Sequence, residues 1–137
     1  MYLIDTNIFL EAMLSRSRAQ ECIELLKMLK DGKIEGVVTD FAIHSIMILL
    51  ERFKRLNELK RFLQSLLLYK GLHVYITSIT DEIKAIELAL ETGLDIDDAI
   101  QYAVALSVDA EAIISFDRHF DNLKIPRKEP KDVLISS

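Results

Sequence analysis

Residues 1–10 read MYLIDTNIFL, and this stretch decides both the class of fold and the place of a site. Tyr2, Leu3 and Ile4 form a short apolar run typical of a buried strand, and the run ends directly at Asp5. An ionised carboxylate is costly to bury without a partner. We therefore expect Asp5 to lie outside the core, at the rim of a cleft beyond the end of the first strand.

Strand-type apolar runs alternate with longer runs of helical period along the rest of the chain. Further strands are predicted at residues 36–38, 73–76, 112–115 and 132–135. Helices are predicted from a cap at Thr6 or Asn7, from Ser17, from a cap at Thr39 or Asp40, over 55–70, from Thr80, and from a cap at Asp97 or Asp98. This alternation predicts an α/β three-layer sandwich, a parallel central sheet of about four to five strands between helices, in a single domain over residues 1–137.

The composition is that of a folded, acidic chain. Its 137 residues are 50% hydrophobic and 28% charged, with a net charge of −5. The single cysteine, Cys22, excludes an intrachain disulfide. The negative charge argues against a simple nucleic-acid-binding module, which would need a positive field. No basic and apolar leader precedes the first strand, and no run approaches the ~20 apolar residues that span a bilayer, so we expect a cytoplasmic protein without membrane contact.

Acidic residues are predicted to gather at one edge of the sheet. Ligands of open α/β sheets bind beyond the carboxyl ends of the strands, where the following helices begin. The acids at such places are Asp5, Asp40, Asp97, Asp98 and Asp117. Helix capping explains each position separately, but it does not explain why acids follow three strands at the same edge.

A cluster of carboxylates repels itself, which raises some pKa values or requires a cation. Ligands that are all oxygen atoms suit Mg²⁺ or Mn²⁺. Such ions with bound water are the usual means of cleaving phosphodiesters. The pattern therefore indicates metal-assisted phosphodiester hydrolysis, without choosing between RNA and DNA.

Three segments resemble the motifs of a known family. LIDTNIFL (3–10) is similar to a motif in which an apolar strand leads into Asp-Thr-Asn. LDIDDAIQYAVAL (94–106) is similar to one in which an Asp-Ala step opens a helix of small residues, and AIISFDRHF (112–120) to one in which Ser or Thr and then Phe-Asp follow a strand. Their order and separation resemble the PIN-domain nucleases, which include the VapC-type toxins, over nearly the whole chain.

The resemblance implies a site residue by residue. It assigns Asp5, Asp98 and Asp117 as the catalytic acids that bind Mg²⁺ or Mn²⁺. Asp97 would cap its helix, support the other acids or act as a further ligand. The groups placed around them in supporting roles are Thr6, Asn7, Asp40 and Ser115. Arg118, beside Asp117, is the candidate for contacting substrate phosphate.

One position departs from the family pattern. The family usually has a Glu about one turn inside the helix after the second strand, whereas TDFAIHSIMILLERF (39–53) has His44 there. Glu51 lies about 10 Å further along the helix, at ~1.5 Å per residue. Three interpretations of His44 stay open. It binds the metal and shifts preference from Mg²⁺ toward Mn²⁺, it contacts substrate phosphate, or it is a core histidine beside a site that has lost its metal.

The resemblance also implies an activity and partners. It implies a metal-dependent endoribonuclease acting on RNA, a homodimer, and, in toxin members, an antitoxin protein whose peptide inserts near the site. The alternative is a non-catalytic PIN-like module that binds RNA or protein, with His44 marking a degenerate metal site. The segment LQSLLLYKG (63–71) has more apolar residues than one helix face can bury, which indicates a protein-binding surface.

Overall fold

The structure is a computed structural model that describes residues 1–136, and these contain five strands and seven α-helices. The strands are β1 (Tyr2–Ile4), β2 (Gly36–Thr39), β3 (Leu72–Tyr75), β4 (Ala112–Ile114) and β5 (Arg127–Lys128). The helices are α1 (Thr6–Met13), α2 (Ala19–Asp31), α3 (Asp40–Arg52), α4 (Leu56–Leu66), α5 (Ile79–Thr92), α6 (Ile96–Ser107) and α7 (Pro130–Ser136). A short 3-10 helix covers Arg118–Phe120. No helix within residues 1–136 is long and apolar enough to cross a bilayer.

All five strands pair in parallel, in the order β3-β2-β1-β4-β5. Leu3 of β1 is in register with Val37 of β2 on one side and with Ile113 of β4 on the other. The predicted α/β fold with a parallel central sheet is therefore confirmed.

Neighbouring residues of the central strands point into two separate cores. Leu3 and Ile113 pack with the residues of α5 and α6. Ile4 and Ile114 pack on the opposite face, with α1 to α4 and α7. All four side chains are fully buried, which is why β1 and β4 have continuous apolar sequences instead of alternating ones.

The predicted strand at residues 132–135 is wrong, because this segment lies in α7. Pro130 occupies the first helical position, where its missing N–H costs nothing, and Asp132 accepts a hydrogen bond from the Glu129 N–H at 2.9 Å. The fifth strand, β5, lies earlier in the chain. Both residues of β5 are basic, so it has no apolar signature from which it could be predicted.

Several predicted helix starts and ends differ from the structure. The cap of α5 is Ser78, which forms a capping box with Asp81, so the helix begins before the predicted Thr80. The cap of α6 is Asp95 and neither of the predicted residues. The second helix starts at Ala19 instead of Ser17, and α4 ends at Leu66, several residues before the predicted end.

Gly71 precedes β3 at a point where backbone segments meet closely. Its N–H donates to the Leu29 carbonyl at 2.8 Å, and its own carbonyl accepts from the Gly36 N–H at 2.7 Å. A Cβ at this position would overlap the Ile34 carbonyl oxygen and lie 2.8 Å from that of Leu29. Because both obstacles are backbone atoms, we expect Gly71→Ala to lower the free energy of unfolding by about 3 kcal/mol, measured by urea denaturation.

Gly93→Ala is the matched control. Gly93 has a φ of 79°, and no atom lies within 4 Å of the position that a Cβ would occupy, so alanine meets only the left-handed backbone conformation. That costs about 1 kcal/mol. Equal losses in the free energy of unfolding for Gly71→Ala and Gly93→Ala would contradict the close approach of backbone atoms at Gly71.

Candidate active site

The candidate site lies where the order of the strands reverses. The chain moves outward from β1 through β2 to β3 on one side, and from β4 to β5 on the other. In open α/β sheets, ligands bind in the crevice beyond the carboxyl ends of the strands at such a point. Asp5 leaves β1 here, Ser115 and Asp117 leave β4, and the first turn of α6 supplies Asp97 and Asp98.

Asp5 is buried, with 2% of the residue exposed. The Ser115 hydroxyl donates to Asp5 Oδ2 at 2.6 Å. Burial raises the pKa of Asp5, and hydrogen bonds from Ser115 and Gln101 oppose that rise. The expectation that Asp5 lies at an open rim is wrong, because donors from β4 and α6 surround the carboxyl group and reduce the cost of burying it.

The loop after β4 is held by a chain of hydrogen bonds. The Ser115 hydroxyl accepts from the Asp117 N–H at 2.9 Å while it donates to Asp5. Asp117 Oδ1 in turn accepts from the His119 N–H at 2.8 Å and so caps the 3-10 helix. Phe120, which is fully buried, anchors this helix in the core. Ser115 thus links the ends of β1 and β4 directly.

Arg127 ties the same loop to β5. Its Nη1 donates to the Ser115 carbonyl oxygen and to Glu129 Oε2, each at 3.0 Å, and its Nε donates to Asp121 at 2.7 Å. These contacts raise the pKa of Arg127, the hydrogen bond to Asp121 most of all. The guanidinium is 13% exposed, so it supports the loop and is not presented to solvent as a phosphate contact.

The first turn of α6 brings two crowded acids to the crevice. Asp95 caps the helix by accepting from the Asp98 N–H at 2.9 Å. Burial raises the pKa of Asp98 to about 7, and the negative charges of Asp95, Asp5, Asp117 and Asp97 act in the same direction. Burial, with the charges of Asp5 and Asp95, raises the pKa of Asp97 to about 6. The ionised forms of these acids are therefore destabilised in the absence of a cation.

Gln101 lies between two of these acids and is fully buried. Its Nε2 donates weakly to Asp97 Oδ1 at 3.4 Å, and its side chain also hydrogen-bonds to Asp5. Its Oε1, like Oγ1 of Thr6, is buried without a hydrogen-bond partner among residues 1–136. Buried polar atoms are normally paired, so these oxygens mark a site that can accept a further group.

His119 completes a cluster of three donor groups, and it is not among the site residues predicted from the sequence. Its Nδ1 lies 3.1 Å from Asp117 Oδ1 and 3.7 Å from Asp98 Oδ2. One ligand atom from each of the three residues lies within 4.8 Å of the others. In the sequence, the feature that could have indicated His119 as a site residue is its place in the motif AIISFDRHF, two residues after Asp117.

The other predicted site residues have different surroundings. His44 is exposed on α3, so the interpretation as a core histidine is wrong. Asp40 Oδ1 accepts from the hydroxyl and N–H of Thr77, at 2.9 and 3.2 Å, and thereby holds the loop between β3 and α5. Asn7 is exposed in the first turn of α1, and Arg118 is exposed at the start of the 3-10 helix.

The polar groups at this edge of the sheet range from buried to exposed. Asp5 and Gln101 are buried, and exposure increases from Asp98 to Asp117 to His119 within the three-residue cluster. Carboxylate oxygens packed this closely suit a hard divalent cation, which would offset their repulsion. The arrangement can hold such an ion next to solvent, where a substrate can reach it.

The chain matches the model of one protein family, and three similar solved structures share its fold. The model of the family described as PIN domain matches residues 2–126. A toxin-antitoxin complex from Klebsiella pneumoniae is similar in structure, with a TM-score of 0.73 and 18% identity over 95% of this chain and 98% of that chain. No curated protein gives a significant sequence match.

Two further solved structures are similar. VapC20 from Mycobacterium tuberculosis, described as a Sarcin-Ricin loop cleaving toxin, has a TM-score of 0.70 and 15% identity, covering 85% of this chain and 90% of that chain. VapBC2 from Rickettsia felis, bound to a DNA fragment from its promoter, has a TM-score of 0.68 and 15% identity, covering 93% of this chain and 97% of that chain. At these identities the likeness establishes the fold alone.

Proposed function

The chain belongs to the PIN-domain family, and we propose that it is a metal-dependent endoribonuclease whose site is the carboxylate cluster beyond β1 and β4. The observation that carries the proposal is that the charges of Asp5 and Asp117 both act on Asp98, although the three acids come from separate parts of the chain, and that Asp98 and Asp117 have ligand atoms within 4.8 Å of each other. Helix capping accounts for Asp117, which caps the 3-10 helix, but not for Asp98, because Asp95 caps α6, nor for Asp5, which makes no side-chain cap to α1.

The residues present fit a divalent cation. The donors are mostly carboxylate oxygens, whose mutual repulsion raises the pKa of Asp98 and Asp97, after the larger effect of burial. The unpartnered oxygen of Gln101 points to the same requirement. We propose Asp5, Asp98 and Asp117 as the residues that hold Mg²⁺ or Mn²⁺, with Asp97 as a further candidate. Such an ion supplies activation of water and neutralisation of phosphate charge.

The chain's own residues have distinct roles in this proposal. Ser115 orients Asp5 and Asp117 by bonding to both. Gln101 holds the buried end of the site and restrains Asp97. Arg118 is an exposed cation next to Asp117, and we propose that it binds a phosphate of the substrate. Its contribution would be mainly to affinity, since phosphate contacts position a nucleic acid without selecting its sequence.

RNA is the proposed substrate because of the family to which the chain belongs, while the acids alone suit any phosphodiester. The test is cleavage of an RNA of mixed structure by the purified protein with Mn²⁺, Mg²⁺ or EDTA. Asp117→Asn, prepared identically, exposes contaminating nuclease, and it keeps the capping oxygen that accepts from His119. Metal-dependent cleavage absent from the variant would support the proposal.

The rival function is a PIN-like module that binds RNA or protein without cleaving. The reason to consider it is His44, which occupies the position where the family usually has Glu, so that the metal site would be degenerate. Calorimetry with Mn²⁺ separates the two functions without needing the right RNA. A protein that binds no divalent ion at millimolar concentration would favour the module and would remove the catalytic proposal.

A protein partner of antitoxin type and a cytoplasmic location are also part of the proposal. A groove of about 440 Å³ with both apolar and polar lining lies between α1, α2 and α4, with Phe9, Phe62 and Tyr69 in its wall. Glu58 and Arg61 line the same groove and could pair with charges of a bound segment. Such a groove suits an amphipathic peptide.

We further propose a homodimer, and the exposed face of α5 supports it. Ile79, Ile83, Ile86 and Leu90 follow one another at helical spacing and are all exposed. Exposed apolar stripes of this kind are typical of interaction surfaces. We expect Ile83→Lys to convert the dimer into a monomer in sedimentation experiments.

Leu67→Lys is the matched control, because Leu67 is 86% exposed in the apolar segment after α4. It should leave the dimer intact. Dissociation by Leu67→Lys alone would move the interface to the end of α4, and a monomeric wild-type protein would remove the dimer proposal.

A further inference from the structure

We propose that His119 is a nitrogen ligand of the cation held by Asp98 and Asp117, and that it makes the site prefer Mn²⁺ over Mg²⁺. This inference rests on the proposed function, because it concerns the same site. From the sequence, His44 is a candidate nitrogen ligand of the metal, and this inference gives that role to His119.

The positions of the donor atoms carry the inference. His119 Nδ1 lies 3.1 Å from one Asp117 oxygen and 3.7 Å from one Asp98 oxygen. Ligands at about 2.1 Å from one octahedral ion are about 3.0 Å apart when adjacent and about 4.2 Å apart when opposite. The 3.1 Å separation matches adjacent ligands and the 3.7 Å separation lies between the adjacent and opposite values, while a ligand atom of each residue lies within 4.8 Å of the others. Side-chain adjustments of about 1 Å would therefore bring all three to one ion.

The backbone places the imidazole there independently of any ion. The His119 N–H donates to the Asp117 carboxylate at 2.8 Å, and buried Phe120 fixes the 3-10 helix from the other side. The His119 side chain is 73% exposed, so a hydrated ion can reach it without opening the fold.

A second observation concerns the acids next to this cluster. Gln101 is fully buried, contacts Asp97 and Asp5, and has an Oε1 without a partner among the described residues. The charges of Asp97 and Asp5 both act on Asp98, so the cluster adjoins a buried polar site that is incomplete in its hydrogen bonding and is not only a set of surface charges.

The choice of ion follows from ligand chemistry. Mg²⁺ binds oxygen ligands and keeps most of its waters. Imidazole nitrogen suits transition ions such as Fe²⁺ and Zn²⁺ best, and Mn²⁺, the weakest-binding ion of that series, still accepts a nitrogen ligand more readily than Mg²⁺ does. Replacing one of several oxygen ligands by imidazole should thus raise the affinity for Mn²⁺ relative to Mg²⁺. His44, exposed on α3, is not part of the three-residue donor cluster found among residues 1–136.

The experiment uses the full-length protein with Mn²⁺ and no RNA. Pulsed electron paramagnetic resonance detects a directly coordinated nitrogen, and calorimetry gives the affinities for Mn²⁺ and Mg²⁺. The variants are His119→Gln, His44→Gln and His73→Gln, which together cover the three histidines of the chain. His73 is exposed on the edge strand β3 and serves as the unchanged control.

We expect a nitrogen signal in the wild type, in His44→Gln and in His73→Gln, and none in His119→Gln. We expect His119→Gln to bind Mn²⁺ about 10-fold or more weakly than the wild type does, and to lose much less affinity for Mg²⁺. A circular dichroism spectrum and a thermal melt check that each variant is folded.

Three results would overturn the inference, and they are distinguishable. Tight Mn²⁺ binding without a nitrogen signal means a site of oxygen ligands only, and leaves the proposed nuclease intact. A signal lost in His44→Gln but kept in His119→Gln assigns the ligand to His44. Absence of Mn²⁺ binding overturns both this inference and the metal-dependent function.

Discussion

Asp5→Asn is expected to abolish RNA cleavage and to raise the thermal stability of the metal-free protein. The substitution keeps the shape of the side chain and an oxygen that can accept from Ser115, but it removes the buried charge. A cation site that loses a central carboxylate should lose activity by at least about 10²-fold, because even outer partners of a metal site contribute about 10- to 100-fold.

The gain in stability has a separate cause. Burial raises the pKa of Asp5, which means that the folded protein without metal disfavours its ionised form. Asn carries no charge, so this cost disappears, and a rotation of the Gln101 amide would let its Oε1, buried without a partner among residues 1–136, accept from the new side chain. Each kcal/mol gained should raise Tm by about 4 °C.

The measurement combines cleavage assays with thermal melts, each with and without Mn²⁺. The wild type should gain stability from Mn²⁺, while Asp5→Asn should gain little. Asp109→Asn is the matched control, because Asp109 is exposed in a turn with a φ of 55°, a conformation that Asn tolerates. Full metal-dependent activity in Asp5→Asn would sink the assignment of Asp5 to the site.

The strands next to the site could be predicted from sequence because they are buried on both faces. The runs 2–4, 36–39 and 112–114 are almost wholly apolar or small, and each is followed by a polar residue that marks its end. Strand β5 could not be predicted, because a two-residue edge strand of Arg and Lys has no apolar pattern. The apolar residues at 132–135 instead follow a proline that starts a helix.

The positions of acids beyond the ends of β1 and β4 and at the start of α6 could be predicted from the same logic, but their environment could not. Which Asp caps α6 depends on a difference of two residues, and sequence patterns do not resolve Asp95 from its neighbours. Gln101 contacts Asp97 one turn away in α6, and it also contacts Asp5, while His119 approaches Asp98 from the loop after β4. The contacts to Asp5 and Asp98 join residues distant in sequence and leave no local pattern.

The metal-free protein is expected to lose stability as the pH rises from about 5 to about 7.5. In the folded state the pKa of Asp98 is about 7 and that of Asp97 about 6, against an ordinary value of 3.8. A carboxyl group with a raised pKa contributes stability that is fully present below its ordinary pKa and is lost as the pH passes through the folded value. The free energy of unfolding should fall by up to about 1.4 kcal/mol per pH unit for each extra proton held by the folded state.

Asp5, whose pKa is also raised by burial, acts in the same direction as Asp97 and Asp98, whereas two acids with lowered pKa values act elsewhere on the pH scale. The backbone hydrogen bond from Ser78 lowers the pKa of Asp81 below 3.8, and the N-terminal amine lowers that of Glu111 below 4.5. Their contributions are present above those values and are lost only when the pH falls further. They do not oppose the decline between pH 5 and 7.5.

The measurement is urea denaturation of metal-stripped protein at steps of about half a pH unit across this range. Asp98→Asn should flatten the decline, since it removes the carboxyl group with the higher pKa, whereas Asp109→Asn should leave it unchanged. Mn²⁺ should reverse the slope for the wild type, because ion binding requires deprotonated carboxylates and strengthens as they ionise. A metal-free protein that gains stability over the same range would show that these acids are not crowded, and it would remove the electrostatic reason for a cation there. Opposite slopes with and without Mn²⁺, both flattened by Asp98→Asn, would tie folding and ion binding to the same carboxyl groups.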